Sequence, residues 1–548
     1  MKIFKFFPLA CAALMMSACS SDDGNGSENP NIAGEAQYLA VNIVNVGTTP
    51  TRAAVPGYED GTAEESKINK IRFYFFHADG SAYTLEGATT GSVDYYLEKD
   101  ISASDINDND GTGTVEKITN AILVINGTTK KAPASVIAVV NPQSLTSLGT
   151  GAKNLNDLTN TLTGSQFYTV ATKDQFVMTN SVYVEAGRTV CPVTVAGHIG
   201  TNAEDAKTKA IDIYAERVVA KVDADLQGGS LVANTAGTSK YGMKVGTYGA
   251  STDIYAVIDG WGVADENDNA YVEKHITNTW SDTDLGITRW TTTDYHRSFW
   301  ETSPAFAAGT TNHTFAQYTA QHNDVLYTLP NTPTTAVADA NKYNNDLTKF
   351  LVTATLKYQD VTGTWKNAEI CKYQGVEYLG IDALKEAIAT TYKEYFTEAS
   401  GVYTPIQAGD VEFTTVGTSL KDYEVSPVLK TGKTYYKKDA SSATGYTALT
   451  AAENIDKYPA EVRTDGKAYY FIPISHIATN PAKVGYYGVV RNHWYKVSLN
   501  SLTGYGTPVY DENKIIDPTM PEDQATYLAA KINVLQWRVV TQTVDLGK

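Results

Sequence analysis

Lys70-Ile71-Arg72-Phe73-Tyr74-Phe75-Phe76, closed by Ala78-Asp79-Gly80, is a run of strand length in β-favouring residues, stopped by a turn pair. The same signature recurs outward along the chain: Ala134–Val140 ended by Asn141-Pro142, then Arg217–Asp223, Lys349–Tyr358, Ala468–Ile474 and Trp494–Leu499. Short apolar runs bounded by turn residues are the pattern of antiparallel sandwiches, so the fold class expected is all-β with a few short helices. The clearest helix signal is Ile381, Leu384, Ile388, Tyr392 and Tyr395 at three- and four-residue steps, with Asp382 placed to cap its start.

A body of about 500 residues is too long for one core and suits two or three domains. The Gly/Asn/Thr-rich zones 226–250 and 303–345 read as loops, and the boundary falls near residue 225. The organisation expected is 1–18 leader, 19–52 tether and N-terminal strand, 53–225 and 226–530 two domains, the second with an insertion near 360–460, and 531–548 a C-terminal strand.

Lys2 and Lys5 precede an apolar stretch from Phe6 to Met16, and small residues at Ser17-Ala18 precede Cys19. This is a secretory leader, too short to span a bilayer stably. Met16-Ser17-Ala18-Cys19 reads as a lipobox, with Met where Leu is usual, making Cys19 the acylated new N-terminus; an ordinary leader that happens to carry a Cys is the other reading. Residues 22–35 are a polar tether with nothing to bury. The formal net charge of −17 becomes −19 without Lys2 and Lys5. With no large basic cluster, such a surface repels phosphate backbones and excludes nucleic acid as a partner. Cys191 and Cys371 are distant in sequence, without metal-type spacing, and read as buried unpaired thiols, with a disulfide between them as the lesser reading.

Catalytic and cofactor signatures fail one by one. There is no His-Glu-x-x-His, no Gly-x-Ser-x-Gly and no dinucleotide fingerprint. Gly432-Lys433-Thr434 resembles the end of a phosphate loop, but Pro427 occupies the first Gly position. In Asp105-Ile106-Asn107-Asp108-Asn109-Asp110-Gly111, with Glu116 twelfth, the Gly falls at seven where a calcium loop needs it at six. That stretch and Asp265-Glu266-Asn267-Asp268-Asn269 read as Asx turns, with adventitious calcium as the lesser reading. The eight His are scattered, and no cofactor or metal is expected. Tyr outnumbers Phe 36 to 15 and is often doubled, as in Tyr469-Tyr470. Neighbours in a strand face opposite ways, so one of each pair can pack inward while the other meets water or another protein.

Both ends of the chain carry strand signals. Gln37-Tyr38-Leu39-Ala40-Val41-Asn42-Ile43-Val44-Asn45-Val46 would turn Leu39, Val41 and Ile43 to one inner face. Gly47-Thr48-Thr49-Pro50-Thr51-Arg52-Ala53-Ala54 follows, a small polar linker suited to proteolysis. Ile532–Leu546, with Val534 near its start, is a long apolar segment in which Leu535, Trp537 and Val539 share one parity while Val540, Val544 and Leu546 share the other, so the bearing face switches near Val539-Val540. A segment that bends or crosses between sheets would need such a switch. Pro518 and Pro521 can free this tail from the preceding domain.

Seven segments, in order along the chain, carry a resemblance: Ile68–Phe76, Ile137–Asn141, Met178–Ser181, Ala215–Val222, Leu329–Thr332, Val489–Tyr495 and Val534–Val539. With the lipobox, the terminal strands and the outer-surface export signal that Ser20-Ser21-Asp22-Asp23 resembles, the chain is similar to the Mfa-type minor-fimbria subunits of Bacteroidales type V pili, and more distantly to FimA-type fimbrillins. The stretch near 360–460 corresponds least. The resemblance implies two transthyretin-like antiparallel β-sandwich domains, a lipid (palmitate) on Cys19 at the cell outer membrane, and an Arg-specific protease cutting at Arg52-Ala53. It further implies that residues 37–46 are removed and that about 532–546 serve as donor strand to a neighbouring copy. The partners implied are the chain itself, in a homopolymer, other fimbrial subunits as anchor and tip, and host or bacterial surface ligands, in a fimbria supporting adhesion and biofilm formation. A tip or accessory adhesin, a monomeric glycan-binding surface lipoprotein and, last, a β-sandwich enzyme are the rival readings.

Overall fold

The structure, a computed structural model, describes residues 37–45, 527–535, 540–542 and most of 62–518. Besides the remaining terminal residues, 103–105, 109–116, 143–147, 164–174, 228–231, 277–283, 285–299, 305–311, 416–420 and a scatter of shorter stretches lie outside the description.

The chain is all-β, in two β-sandwich domains with a third, smaller β unit inserted in the second. In the first domain Lys70–Phe76 forms with the bounds the sequence implies. It lies between Leu97–Asp100 and Ser135–Val140, and the path continues through Met178–Asn180, Ile211–Arg217, Gln37–Asn45, Lys117–Ile125 and Ile106–Asp108. Phe73, Phe75, Ile137, Val139, Val177 and Ile213 fill one core with Leu39 and Val41.

The second domain is a two-layer sandwich. One layer runs Val325–Thr328, Ala220–Asp225, Trp494–Thr503, Tyr527–Leu535, Val540–Gln542. The other runs Val232–Ala233, Tyr241–Tyr248, Thr252–Ala264, Lys349–Gln359, Lys467–Pro473, Thr507–Pro508. Val222, Ala224, Val497 and Leu499 of the first layer meet Ile254, Val352, Tyr470 and Ile472 of the second. The far face of the larger layer is also covered, because Phe315, Tyr318, Val509 and Ile516 pack there on Leu351, Tyr469 and Phe471. Tyr469 and Tyr470 are therefore both buried, and the expectation that one of the pair meets water fails there because the strand has a core on each side.

Lys349–Gln359 and Lys467–Pro473 pair directly, so the residues between them hang from one hairpin. They build their own core from two small sheets and the helix Ile381–Thr391, with Leu384 and Ile388 fully buried against Cys371, Val425 and Val462. Asp382 is not the cap: the helix starts after Gly380, whose φ of 105° a side chain would strain, and Asp382 sits in the first turn, where its charge suits the helix dipole.

Two further expectations need correction. Arg217–Asp223 is not one strand: Ile211–Arg217 ends in the first domain, Val218 and Val219 cross, and Ala220–Asp225 opens the second. Every residue from Ala215 to Val222 is buried, so alternation could not mark the crossing. The 226–250 zone contains the strand Tyr241–Tyr248, with Met243 and Val245 inward, Lys244 exposed, and a register shift between Lys244 and Gly246. Likewise 303–345 holds the strand Val325–Thr328. Cys191 and Cys371 are buried and unpaired, and burial pushes the Cys371 thiol up to about 12.

Candidate functional site

The N-terminal strand Gln37–Asn45 occupies an interior position. Along one edge it runs antiparallel to Lys117–Ile125, with Leu39 opposite Leu123 and Val41 opposite Ala121. Its other edge is shared: Tyr38 and Leu39 pair antiparallel with Gly200 and Ile199, and Val41 to Asn45 pair in parallel with Ile211 to Ala215. Leu39 and Val41 are wholly buried among Leu123, Ile125, Ile211 and Ile213. At roughly 1.5–3 kcal/mol per buried aliphatic side chain, these two alone hold the strand with about 3–6 kcal/mol. Ile43 lies in the strand by backbone, and its side chain is outside the description.

The short helix Ala203–Thr208 packs against this strand. Asn202 starts it by accepting from the Asp205 N–H at 2.9 Å. The approach depends on Gly200, because a Cβ there would come within 2.4 Å of the Ala206 nitrogen. Ala40, directed to the face opposite Leu39 and Val41, is 4% exposed, while Ile122 beside it is 37% exposed.

Downstream, Arg52, Ala53 and the rest of 46–61 lie outside the described residues, as does Cys19. The chain is next pinned at Glu65, in the seam between domains. Lys221 lies 2.8 Å from the Glu65 carboxylate, Tyr327 donates to the same carboxylate, and Arg217 donates to the Glu65 carbonyl at 2.8 Å and to Asn492 Oδ1 at 3.3 Å. Burial alone would raise the Glu65 pKa, but Lys221 and Arg217 outweigh it and hold the carboxyl below its usual range. A second buried group joins the domains through Arg491, which pairs with Glu301 at 2.7 Å and donates to the carbonyls of Val272 and Tyr271. Lys274 and Glu216 form a further pair nearby, and burial pushes Glu273 up to about 8. None of these charges was singled out as a site in the sequence; Arg491 and Arg217 stood within stretches that carried the resemblance, but no periodicity shows which charges will be buried.

At the C-terminus, Tyr527–Leu535 runs antiparallel to Trp494–Thr503 of its own chain, from Tyr527 opposite Thr503 to Leu535 opposite Trp494. Val540–Gln542 returns along it, with Val534 opposite Val540. Within this chain, then, Val534, Leu535 and Val540 belong to two antiparallel strands and not to one extended segment, and the parity switch coincides with the reversal. Trp537, Val539, Val544 and Leu546 lie outside the described residues. The two ends of the chain are not brought together here: the N-terminal strand is in the first domain and the tail in the second.

Asp265, one of the acidic turn residues, has φ 51° and is ion-paired with Lys349 and hydrogen-bonded to Asn312, so its carboxylate is spent on structure. Asp105 and the residues from Asn109 to Glu116 are outside the description. Lys433 pairs with Asp410 at 2.6 Å instead of facing a loop of amides. Among the described residues no cluster of His, Cys, Asp or Glu is arranged to hold a metal ion, and no helix is long and apolar enough to cross a membrane.

No curated protein sequence matches the chain. Among solved structures it is similar to a candidate cell adhesion protein from Parabacteroides distasonis, at 14% identity and a TM-score of 0.39, covering 92% of this chain and 98% of that one. It is also similar to one from Bacteroides eggerthii, at 12% and 0.34 over 94% and 98%. A third is the C-terminally truncated tip fimbrial protein Mfa3 from Porphyromonas gingivalis, at 12% and 0.30 over 91% and 98%. The architecture above stands on the chain's own strand pairing and not on these likenesses. Residues 463–543, which span Lys467–Pro473, Trp494–Thr503 and Tyr527–Leu535, match the family described as major fimbrial subunit protein type IV, fimbrillin, C-terminal. The C-terminal part of the chain, from Arg463 to Thr543, thus carries the pattern of the fimbrillin C-terminal family.

Proposed function

We propose that this chain is a shaft subunit of a surface fimbria, exported as a lipoprotein on Cys19, cut at Arg52-Ala53, and polymerised when a neighbouring copy's C-terminal segment replaces the strand that cleavage releases. The observation that carries the reading is the interior position of Gln37–Asn45, paired on both edges and lying between the leader and Arg52. Removing an interior strand leaves two unpaired edges and an apolar slot lined by Leu123, Ile125, Ile211 and Ile213, which a strand of another chain can refill. Release of 19–52 removes Asp22, Asp23, Glu28 and Glu35 against Arg52, taking the formal charge from −19 to −16. Before processing, the acyl chain holds the protein at the outer membrane; afterwards anchor and tip subunits bound the fibre, whose surface supports adhesion and biofilm growth.

The test is Arg52→Ala. An Arg-specific protease should start polymerisation of the wild-type monomer and leave the variant monomeric, with mass spectrometry of the fibres finding no residues 19–52. Equal polymer from both proteins would refute strand loss as the trigger. A tip or accessory adhesin is the second reading, favoured by the pairing of Tyr527–Leu535 within its own chain, since a tip need donate no strand. A cleaved wild-type chain that caps fibres without extending them would establish it.

A further inference from the structure

The strand that would be lost and the strand that pairs with Trp494–Thr503 are written in nearly the same residues. Tyr38-Leu39-Ala40-Val41-Asn42-Ile43 stands against Tyr527-Leu528-Ala529-Ala530-Lys531-Ile532, with Tyr, Leu, Ala and Ile recurring at the same spacing. Both segments form strands of nine residues, Gln37–Asn45 and Tyr527–Leu535. Resting on the strand-replacement reading above, we infer that Tyr527–Leu535 of a second copy enters the slot in the register that puts Tyr527, Leu528, Ala529 and Ile532 where Tyr38, Leu39, Ala40 and Ile43 stood, running in the same direction.

Two observations select that register, and a third favours the exchange itself. Leu39 is wholly buried, whereas Ala40 lies on the face against which the helix Ala203–Thr208 packs. A large residue followed by a small one is what those two positions require, and Leu528-Ala529 supplies it. In the register one residue along, every side chain would exchange faces, and Leu528 would be driven toward the helix. Asn42 pairs with Asp212 across the parallel edge, so this register sets Lys531, a cation, opposite Asp212, an anion. Inside its own chain the cross-strand partner of Lys531 is Ser498, which carries no charge. Finally, in its own sheet Tyr527–Leu535 is paired along its full length on one edge and over three residues on the other. In the slot it would meet Lys117–Ile125 along one edge, and Ile199, Gly200 and Ile211–Ala215 along the other, so exchange gains backbone partners. The donor strand then begins at residue 527, before the segment from Ile532 that the tail's apolar character suggests.

Disulfide trapping in the full chain reads the register directly. Ile122 stands opposite Ala40, so the inferred register sets Ala529 against Ile122 of the next copy. One population carrying Ile122→Cys is mixed with another carrying Ala529→Cys, both are cut with an Arg-specific protease, and interchain disulfides are mapped by mass spectrometry. A parallel mixture uses Gln536→Cys, which would face Ile122 if Leu535 took the place of Leu39. A 122–529 bond without a 122–536 bond is the expected result. A 122–536 bond, or fibres with neither bond, overturns the register while leaving strand replacement standing. Cleaved wild-type protein that forms no fibre overturns both. As a second readout, Lys531→Glu should slow elongation about two- to fivefold, in line with one like-charge cross-strand pair. Adding Asp212→Lys should restore it; failure of that swap to rescue removes the Lys531–Asp212 pairing.

Discussion

Lys221 and Glu65 form an ion pair of 2.8 Å in which both side chains are almost wholly withdrawn from water, at the seam between the two sandwich domains. Glu65 lies near the start of the first domain, ahead of Lys70–Phe76, while Lys221 opens the second domain. The pair therefore ties the chain ahead of the first domain's strand Lys70–Phe76 to the joint between the domains.

Lys221→Met should destabilise the protein by about 3–5 kcal/mol near neutral pH, because Glu65 would be left buried without its main counter-charge. Glu65 has a folded pKa below its usual 4.5. Its contribution is therefore present above that value and is lost as pH falls through the lower folded one. Denaturant titrations across the acid range should show that loss in the wild type. The same dependence in Lys221→Met would mean the pair is not its source.

Glu273 predicts the opposite slope. Burial raises its carboxyl from 4.5 to about 8, so between these values the folded state holds a proton that the unfolded state has released. Stability then falls as pH rises through that window, by at most about 1.4 kcal/mol per pH unit for one group. Glu273→Gln removes the titration and should raise Tm most near pH 8. An unchanged pH profile would sink the assignment.

Leu39→Ala should cost the unprocessed chain about 2–5 kcal/mol, as for a buried Leu cut back in a packed core. If residues 19–52 leave on processing, fibres assembled from the variant should match wild type in heat and detergent resistance. Fibres weakened as much as the precursor would show that the strand stays.

A chain ending at residue 526 loses the antiparallel partner of Trp494–Thr503 but keeps its parallel partner Ala220–Asp225. It should fold with Tm lowered by roughly 5–15 °C, a few kcal/mol in a domain of this size. After cleavage it should give no heat-resistant ladder on a gel, and a full ladder from it would refute donation by the tail. Full unfolding of the truncated monomer would show that the tail is required by its own domain.

The helix at Ile381–Thr391 and the strand Lys70–Phe76 were legible because each has a local cause, a three-to-four spacing in one and a turn-bounded β-favouring run in the other. Leu39 and Val41 were legible as an inward face for the same reason. The crossing at Val218-Val219 was not, since every residue around it is buried, the charged ones included, and no alternation marks the break. Nor were the partners of Glu65, Arg491 and Lys221, because a charge is buried only when distant residues supply its counter-charge, and sequence spacing carries no record of that distance. By itself the sequence determined the all-β class, the positions of several of the longer strands and the apolar strands at both ends, which are properties of neighbouring residues. Tertiary structure alone decided that the first of those strands is interior, that the last is paired within its own chain, and that the inserted unit has a core of its own. Strand neighbours are chosen by long-range pairing among many similar apolar segments, and only the closed sheets show which pairing buries the most surface while leaving the fewest backbone groups unmet.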